Sequence, residues 1–330
     1  MLPSGLLVGL GLCLCVNHVV LSKVTFNMTF FEIMKNQTEI PVIYKDSYET
    51  DYDGNIITVT YPYNKNATVH YYGPDNQYKP VARAHVKHLS ANDSDQHEEP
   101  HWSLDFIRFY SQRFCAFSHR VHLILYANNI THDTVYINTA NKPKWFLDRF
   151  FPPKVPLIQH MDIPITDSLL ICDYLNTKHP GPRPLCHQDA FYQNDDNVML
   201  AEEFEHVAWG LRDCLMVDHI TDELYTNLTI ALKWFERELT KRQTIYWFGN
   251  EYPGMTDYMM WPWFERMAAI PVHSRYKYPN PLVEFPRLLR WEMKMLDDTA
   301  VKYHYQPPES YVEYFRRRRK GIPLFDPVIA

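Results

Sequence analysis

The sequence predicts an α/β module followed by an all-α domain, with a small β-rich unit ahead of both. Three observations carry this. From residue 104 the pattern runs strand, helix, strand, short helix, hairpin, helix; the breaker-rich "HPGPRPL" closes that run; beyond it the apolar period is helical throughout. A chain of 330 residues exceeds a single core of roughly 100 to 200 residues, so two modules and an appendage fit its length. Hydrophobic residues at 46% suffice for packed cores. A formal net charge of −6 provides no cationic surplus for phosphate and argues against nucleic acid as a partner.

Residues 1–22, "MLPSGLLVGLGLCLCVNHVVLS", read as a signal peptide, because the apolar run from Leu6 to Leu21 is shorter than the ~20 residues a bilayer span needs. An uncleaved anchor is the alternative. Chance composition would supply about 1.6 Asn-x-Ser/Thr triplets, but the chain has six, at Asn27, Asn36, Asn66, Asn92, Asn129 and Asn227. Leader and sequons together predict a secreted, glycosylated protein or a resident of the secretory-pathway lumen. Cys13 and Cys15 leave with the leader. Of Cys115, Cys172, Cys186 and Cys214, at most one pair forms if Cys115 is kept for chemistry, Cys186 with Cys214 being the candidate; otherwise the three are small buried hydrophobes.

Residues 23–100 form the β-rich extension and linker. Its alternating runs "IPVIYK", "NIITVTYPY" and "ATVHYYG" are separated by "DYDGN" and "NKN", the composition of a small antiparallel unit. From about 81 to 101 the chain turns polar and reads as linker. His97, Glu98 and His101 spell the HExxH zinc-protease pattern there, but Pro100 sits between the histidines and the window has no apolar face, so no metal site is expected.

Residues 101–180 hold the α/β module. Its strands are "LDFIRFY", "HDTVYIN", "KVPLIQH" and "IPITD", and its helices Phe117 to Asn128, "KPKWFLDRF" and Ser168 to His179. Residues 181–310 form the all-α domain, with helices over Asn197 to Met216, Asp222 to Arg242, Met255 to Ile270 and Phe285 to Lys302. Residues 311–330 are a basic tail whose "YFRRRRKG" reads as a solvated helix end, or else as a docking point for an acidic surface or a cleavage site for a convertase that reads paired arginines.

Chemistry is expected at Cys115, between the first strand and first helix of the α/β module. Unpaired amides and the partial positive charge of a helix start favour a thiolate there. Arg113, His119 and Arg120 are expected to add positive potential.

The strings "IRFYSQRFCAFSHR", "NKPKWF", "KVPLIQ", "TDSLLICDYL" and "DYMMWPWFERM" lie in this order over about 105 to 300, and this arrangement resembles the omega-class glutathione transferases. The resemblance implies a thioredoxin-like N-terminal domain, an all-helical C-terminal domain and glutathione as co-substrate without metal. It implies Cys115 as the nucleophile that forms a mixed disulfide with glutathione. Val155 and a cis Pro156 would present backbone to the cysteinyl part. Asp167 and Ser168 would hold the γ-glutamyl group, Lys142 would approach the glycine carboxylate, and Phe117 would border the peptide.

The chain departs from that pattern at Ala116, where the family has Pro after the cysteine; at Asp167, where it has Glu; and at Gly254, where it has a Ser or Thr cap. Chloride intracellular channel proteins share the fold and a Phe-Ser step after the cysteine but lack WPWFER. The activity implied is a glutathione-dependent thiol transferase or dehydroascorbate-type reductase acting on a small-molecule or protein disulfide acceptor, with a homodimer left open. The alternative is a catalytically weak or inactive binding protein that keeps the fold.

Overall fold

A computed structural model describes Tyr48–Thr50, Ile56–Val59, Ala84–His88, Glu99, residues 106–189, Gln193, Asp196 and residues 199–321. The predicted leader, the sequons at Asn27, Asn36, Asn66 and Asn92, and His97, Glu98 and His101 lie outside these residues.

The extension contributes β1 (Tyr48–Thr50) and β2 (Ile56–Val59), paired antiparallel. The stretch read as linker is not all linker. It contains β3 (Ala84–His88), which joins the main sheet as an edge strand, parallel to β5. Its period-2 alternation, "AHVKH", is too short and too rich in charged and polar residues to stand out from its surroundings. Further along, Glu99 ion-pairs with Arg149 and accepts from the Tyr110 hydroxyl.

The sheet runs β3-β5-β4-β6-β7, with β4 (Ile107–Ser111), β5 (His132–Tyr136), β6 (Leu157–His160) and β7 (Ile163–Thr166). β4 and β5 are parallel, and β6 and β7 are antiparallel to their neighbours. Every residue of β4 is buried, as a central strand covered on both faces requires. One face carries α1 (Ala116–Ala127) and α3 (Ser168–Lys178); the other carries α2 (Lys144–Arg149), whose Phe146 packs with Tyr110, Val135, Phe150 and Leu157.

After the breaker segment the helical domain begins with a π-turn at Met199–Glu203 and continues as α4 (Phe204–Met216), α5 (Asp222–Arg242), α6 (Met255–Met267), α7 (Ala269–His273), α8 (Pro286–Met295), α9 (Thr299–His304) and α10 (Pro308–Arg319). The single helix expected over Phe285 to Lys302 is two. Asp298 accepts from the amides of Ala300 and Val301 and restarts the chain as α9. One core runs from the α1–α3 face of the sheet through α6, whose thirteen residues are all buried.

Two further expectations are corrected. Cys172, Cys186 and Cys214 are all buried thiols outside any disulfide, so Cys186 and Cys214 do not pair and the alternative reading of three small buried hydrophobes holds. The basic run is a helix end, as read, but not a separate tail: α10 spans the expected boundary at 310 and buries Tyr311 and Tyr314. Its arginines are largely engaged, Arg316 and Arg317 with Glu313, Arg318 with the Tyr314 hydroxyl, and Arg319 with Asp218 and the Leu215 carbonyl.

Candidate active site

The strand register brings the predicted residues to one end of the sheet. Val135 pairs with Tyr110, Tyr110 with Leu157, and Leu157 with Thr166, which makes a row across four strands. β4, β5 and β7 leave the sheet beyond that row, and β6 enters from beyond it. Cys115 follows β4, Lys142 follows β5, Val155 and Pro156 precede β6, and Asp167 and Ser168 follow β7. Residues far apart in sequence thus share one edge.

Cys115 is the N-cap of α1, and its carbonyl accepts from the His119 amide at 2.9 Å. No side chain caps this helix, so the amides of its first turn have neither an intrahelical nor a side-chain acceptor. The helix begins at Ala116 without the proline of the related pattern. Cys115 is partly exposed; burial raises the Cys214 thiol to about 12, and the Cys172 thiol is raised further.

The expected charge around Cys115 is revised. His119 is buried, and desolvation together with the nearby Arg266 and His122 holds its pKa well below the usual value, so it is neutral at pH 7. The cations close to the cysteine loop are Arg113 within it, whose guanidinium lies over the Tyr136 ring at 4.8 Å, together with Arg120 and Arg266. Arg266 donates to the Phe114 carbonyl at 3.2 Å, and the Phe114 ring stacks on Tyr314 of α10 at 4.8 Å. Two elements of the helical domain, the central α6 and the last helix α10, therefore grip the residue before the cysteine.

The Val155–Pro156 bond is cis. Asp167 is the N-cap of α3, and its Oδ1 accepts from Leu169 and Leu170 amides at 3.0 and 3.3 Å. It holds φ 75° and ψ 125°, a conformation that costs a residue with a side chain about 1–3 kcal/mol and that collects at ligand sites. Ser168 is buried, and its Oγ accepts from Arg120 Nη1 at 3.2 Å. Lys142 is half-buried beside the same edge. Phe117 is 51% exposed and meets Trp263 edge-on at 5.1 Å.

Of the remaining sequons, Asn129 ends the turn after α1 and Asn227 lies on α5; both are exposed. Among the described residues no cluster of three or more His, Cys, Asp or Glu side chains has the arrangement to hold a metal ion.

Gly254, the departure at the start of α6, has a steric reason. A Cβ there would lie 2.5 Å from Phe248 Cβ and 2.8 Å from the Leu185 carbonyl, so Ser or Thr does not fit. Asp257 does the capping, accepting from Gly254, Trp247 and Phe248 amides and from Trp291 Nε1.

Sequence reading weighed Arg120 only as positive potential near the thiol, and it missed Arg266, Tyr311 and Tyr314. Arg120 lies at i+3 from Phe117 and i−4 from Ile124, on the apolar face of α1, which is the signal of a buried cation. Tyr311, Tyr314 and Phe315 repeat at helical spacing beneath the arginine run.

Comparison with known proteins agrees with this geometry. Residues 109–183 match the family described as Glutathione S-transferase, N-terminal domain, and residues 218–292 its C-terminal domain. Pyrimidodiazepine synthase of Drosophila melanogaster is 35% identical over 67% of this chain and 89% of its own length. The chain belongs to the glutathione S-transferase family. Human glutathione S-transferase omega-2 is 37% identical over 56% of this chain and 77% of its own. Pig glutathione S-transferase omega-1 is 33% identical over 61% and 81%. Among solved structures, the Omega 3C glutathione transferase of Trametes versicolor superposes with a TM-score of 0.53 at 18% identity, covering 69% of this chain and 94% of its own, which shows the shared fold. A rice glutathione transferase in complex with glutathione gives 0.55 at 18% identity, over 66% and 98%. The chain is thus a glutathione transferase-like enzyme with omega-class relatives.

Proposed function

We propose that this enzyme is a glutathione-dependent thiol transferase in which Cys115 carries the mixed disulfide. The observation that supports it is the convergence of a partly exposed cysteine at an uncapped helix start, the backbone before Pro156, and the Asp167–Ser168 helix start on one sheet edge.

In the proposed cycle the Cys115 thiolate attacks the glutathione sulfur of a glutathionylated small molecule or protein. The S–S bond of that substrate breaks, its thiol leaves after taking up a proton, and Cys115 is left joined to glutathione. A second glutathione thiolate attacks the bound glutathione sulfur. Glutathione disulfide leaves, the Cys115 thiolate returns, and the two electrons that reduced the substrate have come from glutathione. Attack rate follows thiolate fraction and access. Val155 backbone aligns the bound cysteinyl part, Asp167 pairs the γ-glutamyl ammonium, Ser168 donates to its carboxylate, Lys142 faces the glycine carboxylate and Phe117 covers the peptide.

The test is intact mass after incubation with glutathione disulfide. One glutathione should add per chain, and Cys115→Ser should abolish both the adduct and glutathione-linked disulfide reduction. An active serine variant would end the proposal. We place the reaction in the secretory lumen or outside the cell, a reading supported by the leader and six sequons; loss of mass on enzymatic removal of N-glycans from protein secreted by cells is the check.

A further inference from the structure

Arg120 is the least economical residue of the N-terminal domain. Its guanidinium is buried, and among the described residues no carboxylate pairs with it at ion-pair distance. Nε donates to the Met259 carbonyl of α6 at 2.7 Å, and Nη1 donates to Ser168 Oγ at 3.2 Å. Aromatic rings surround the rest: Trp263 with its centroid at 4.5 Å, Phe117 at 5.6 Å and Phe204 at 5.8 Å. Cation–π attraction and two hydrogen bonds offset part of the desolvation, yet burial still lowers its pKa to about 10, against the pull of Cys172, Asp167 and Cys115. A buried cation without a paired anion, standing between two half-sites that both take anionic groups, is built for the liganded state.

We propose that Arg120 is the positioning residue for the γ-glutamyl carboxylate: it donates to Ser168 Oγ, so the serine hydroxyl proton is committed to donation towards the ligand, and its charge lies behind that anion. This rests on the reading of the site given above. A serine hydroxyl has one proton and two acceptor lone pairs. With a guanidinium N–H directed at a lone pair, the proton turns away from Arg120, and a carboxylate at the α3 N-terminus is the acceptor it meets. The planar fork also explains the residue type. It reaches the α6 carbonyl and the serine at once, a geometry that a single ammonium does not reproduce.

The test compares glutathione with its analogue lacking the γ-glutamyl carboxylate, in which that group is replaced by hydrogen, by calorimetric titration of the whole chain. The unsubstituted protein should prefer glutathione by about 10- to 100-fold, the size of one hydrogen bond to a charged group. Arg120→Lys should lose most of that preference while binding the analogue as before. Ser168→Ala, which removes only the hydroxyl and keeps the fold, should lose it equally, and the double variant should lose no more than either single one. A purely structural Arg120 would lower thermal stability and leave the preference intact. Preference retained in Ser168→Ala, or additive losses in the double variant, would overturn the role. Failure of the unsubstituted protein to bind either compound would overturn the glutathione reading of the site itself.

Discussion

Helices α1 and α6 pack on one another and begin in opposite ways. At the start of α6, Asp257 is fully buried and gathers four donors, three amides and the Trp291 indole. At the start of α1, the N-cap is a partly exposed cysteine that caps nothing, and the first-turn amides stay without a protein partner. Where donors are saturated, the helix start is structural. Where they are left over, they remain available to an anion from outside or to the sulfur itself. The α3 start lies between these extremes, since Asp167 caps it with one oxygen and keeps the other at the surface.

This contrast predicts opposite signatures for two single substitutions. Asp257→Ala leaves four donors buried or nearly so, each worth about 1–3 kcal/mol when unpaired, and with partial relaxation should cost about 4 kcal/mol of stability. Cys115→Ser should alter stability by less than about 0.5 kcal/mol, as a near-isosteric change at a partly exposed position, while abolishing turnover. Urea denaturation beside a disulfide-reduction assay measures both. A Cys115→Ser variant as unstable as Asp257→Ala would mean that the two helix starts do the same job.

Protons sharpen the contrast further. Desolvation holds His132 and His160 at about 4 and His119, His122 and His304 well below the usual value. In the unfolded chain these rings titrate near ~6.5, so below that pH the unfolded state binds protons the folded state refuses, and stability falls. Burial works the other way on carboxyls: Glu265 and Glu292 are raised to about 7 and Asp257 to about 6, so the folded state takes up their protons first and gains as pH drops. Burial lowers His179 and His273 too and raises Asp196 and Asp298, so seven imidazoles outweigh five carboxyls. With two groups unbalanced at about 1.4 kcal/mol each, a net loss approaching about 3 kcal/mol per pH unit is expected as pH falls from 6.5 to 5. Three of the imidazoles form the contact between α1 and α9, with His122 and His304 centroids 4.6 Å apart and Ser111 Oγ 3.1 Å from His122 Nε2. Thermal unfolding temperatures at pH 7.5, 6.5 and 5.5 decide; a flat or rising series would refute the balance.

The order of strands and helices around Cys115 was legible because period and breakers change together there: "IRFYS" is continuously apolar but for two positions, and "HPGPRPL" stops the module. The site residues were legible as a set only through their resemblance to a family, since Lys142, Val155 and Asp167 carry no local mark of proximity. Their meeting is produced by register, and register depends on pairings such as Tyr110 with Leu157 that no local window contains. β3 was hidden for the same reason: its partner lies about 48 residues later, and an edge strand needs no strong pattern of its own. In α10 the arginine run masked Tyr311 and Tyr314, because charge dominates a composition reading while burial follows one face. Gly254 looked like a weak cap and is a steric necessity, visible only once Phe248 folds over it.

The smallest effect separates two duties of one carboxylate. Asp167 both caps α3 and, in the proposed site, pairs with an ammonium. Asp167→Asn keeps an acceptor oxygen for the Leu169 and Leu170 amides, so stability should stay within a few tenths of a kcal/mol, while the charge is lost and glutathione should bind about tenfold more weakly. Asp167→Ala loses cap and charge together and should add a stability cost of about 1 kcal/mol. Asp167→Gly loses both as well but relieves the strain at φ 75°, so it should be more stable than the alanine variant by an amount that reports how much of that strain the fold carries. Glutathione affinities and unfolding midpoints for the three variants are sufficient. If the asparagine variant binds glutathione as tightly as the native protein, Asp167 is a cap and nothing more, and the α3 start then resembles that of α6 rather than that of α1.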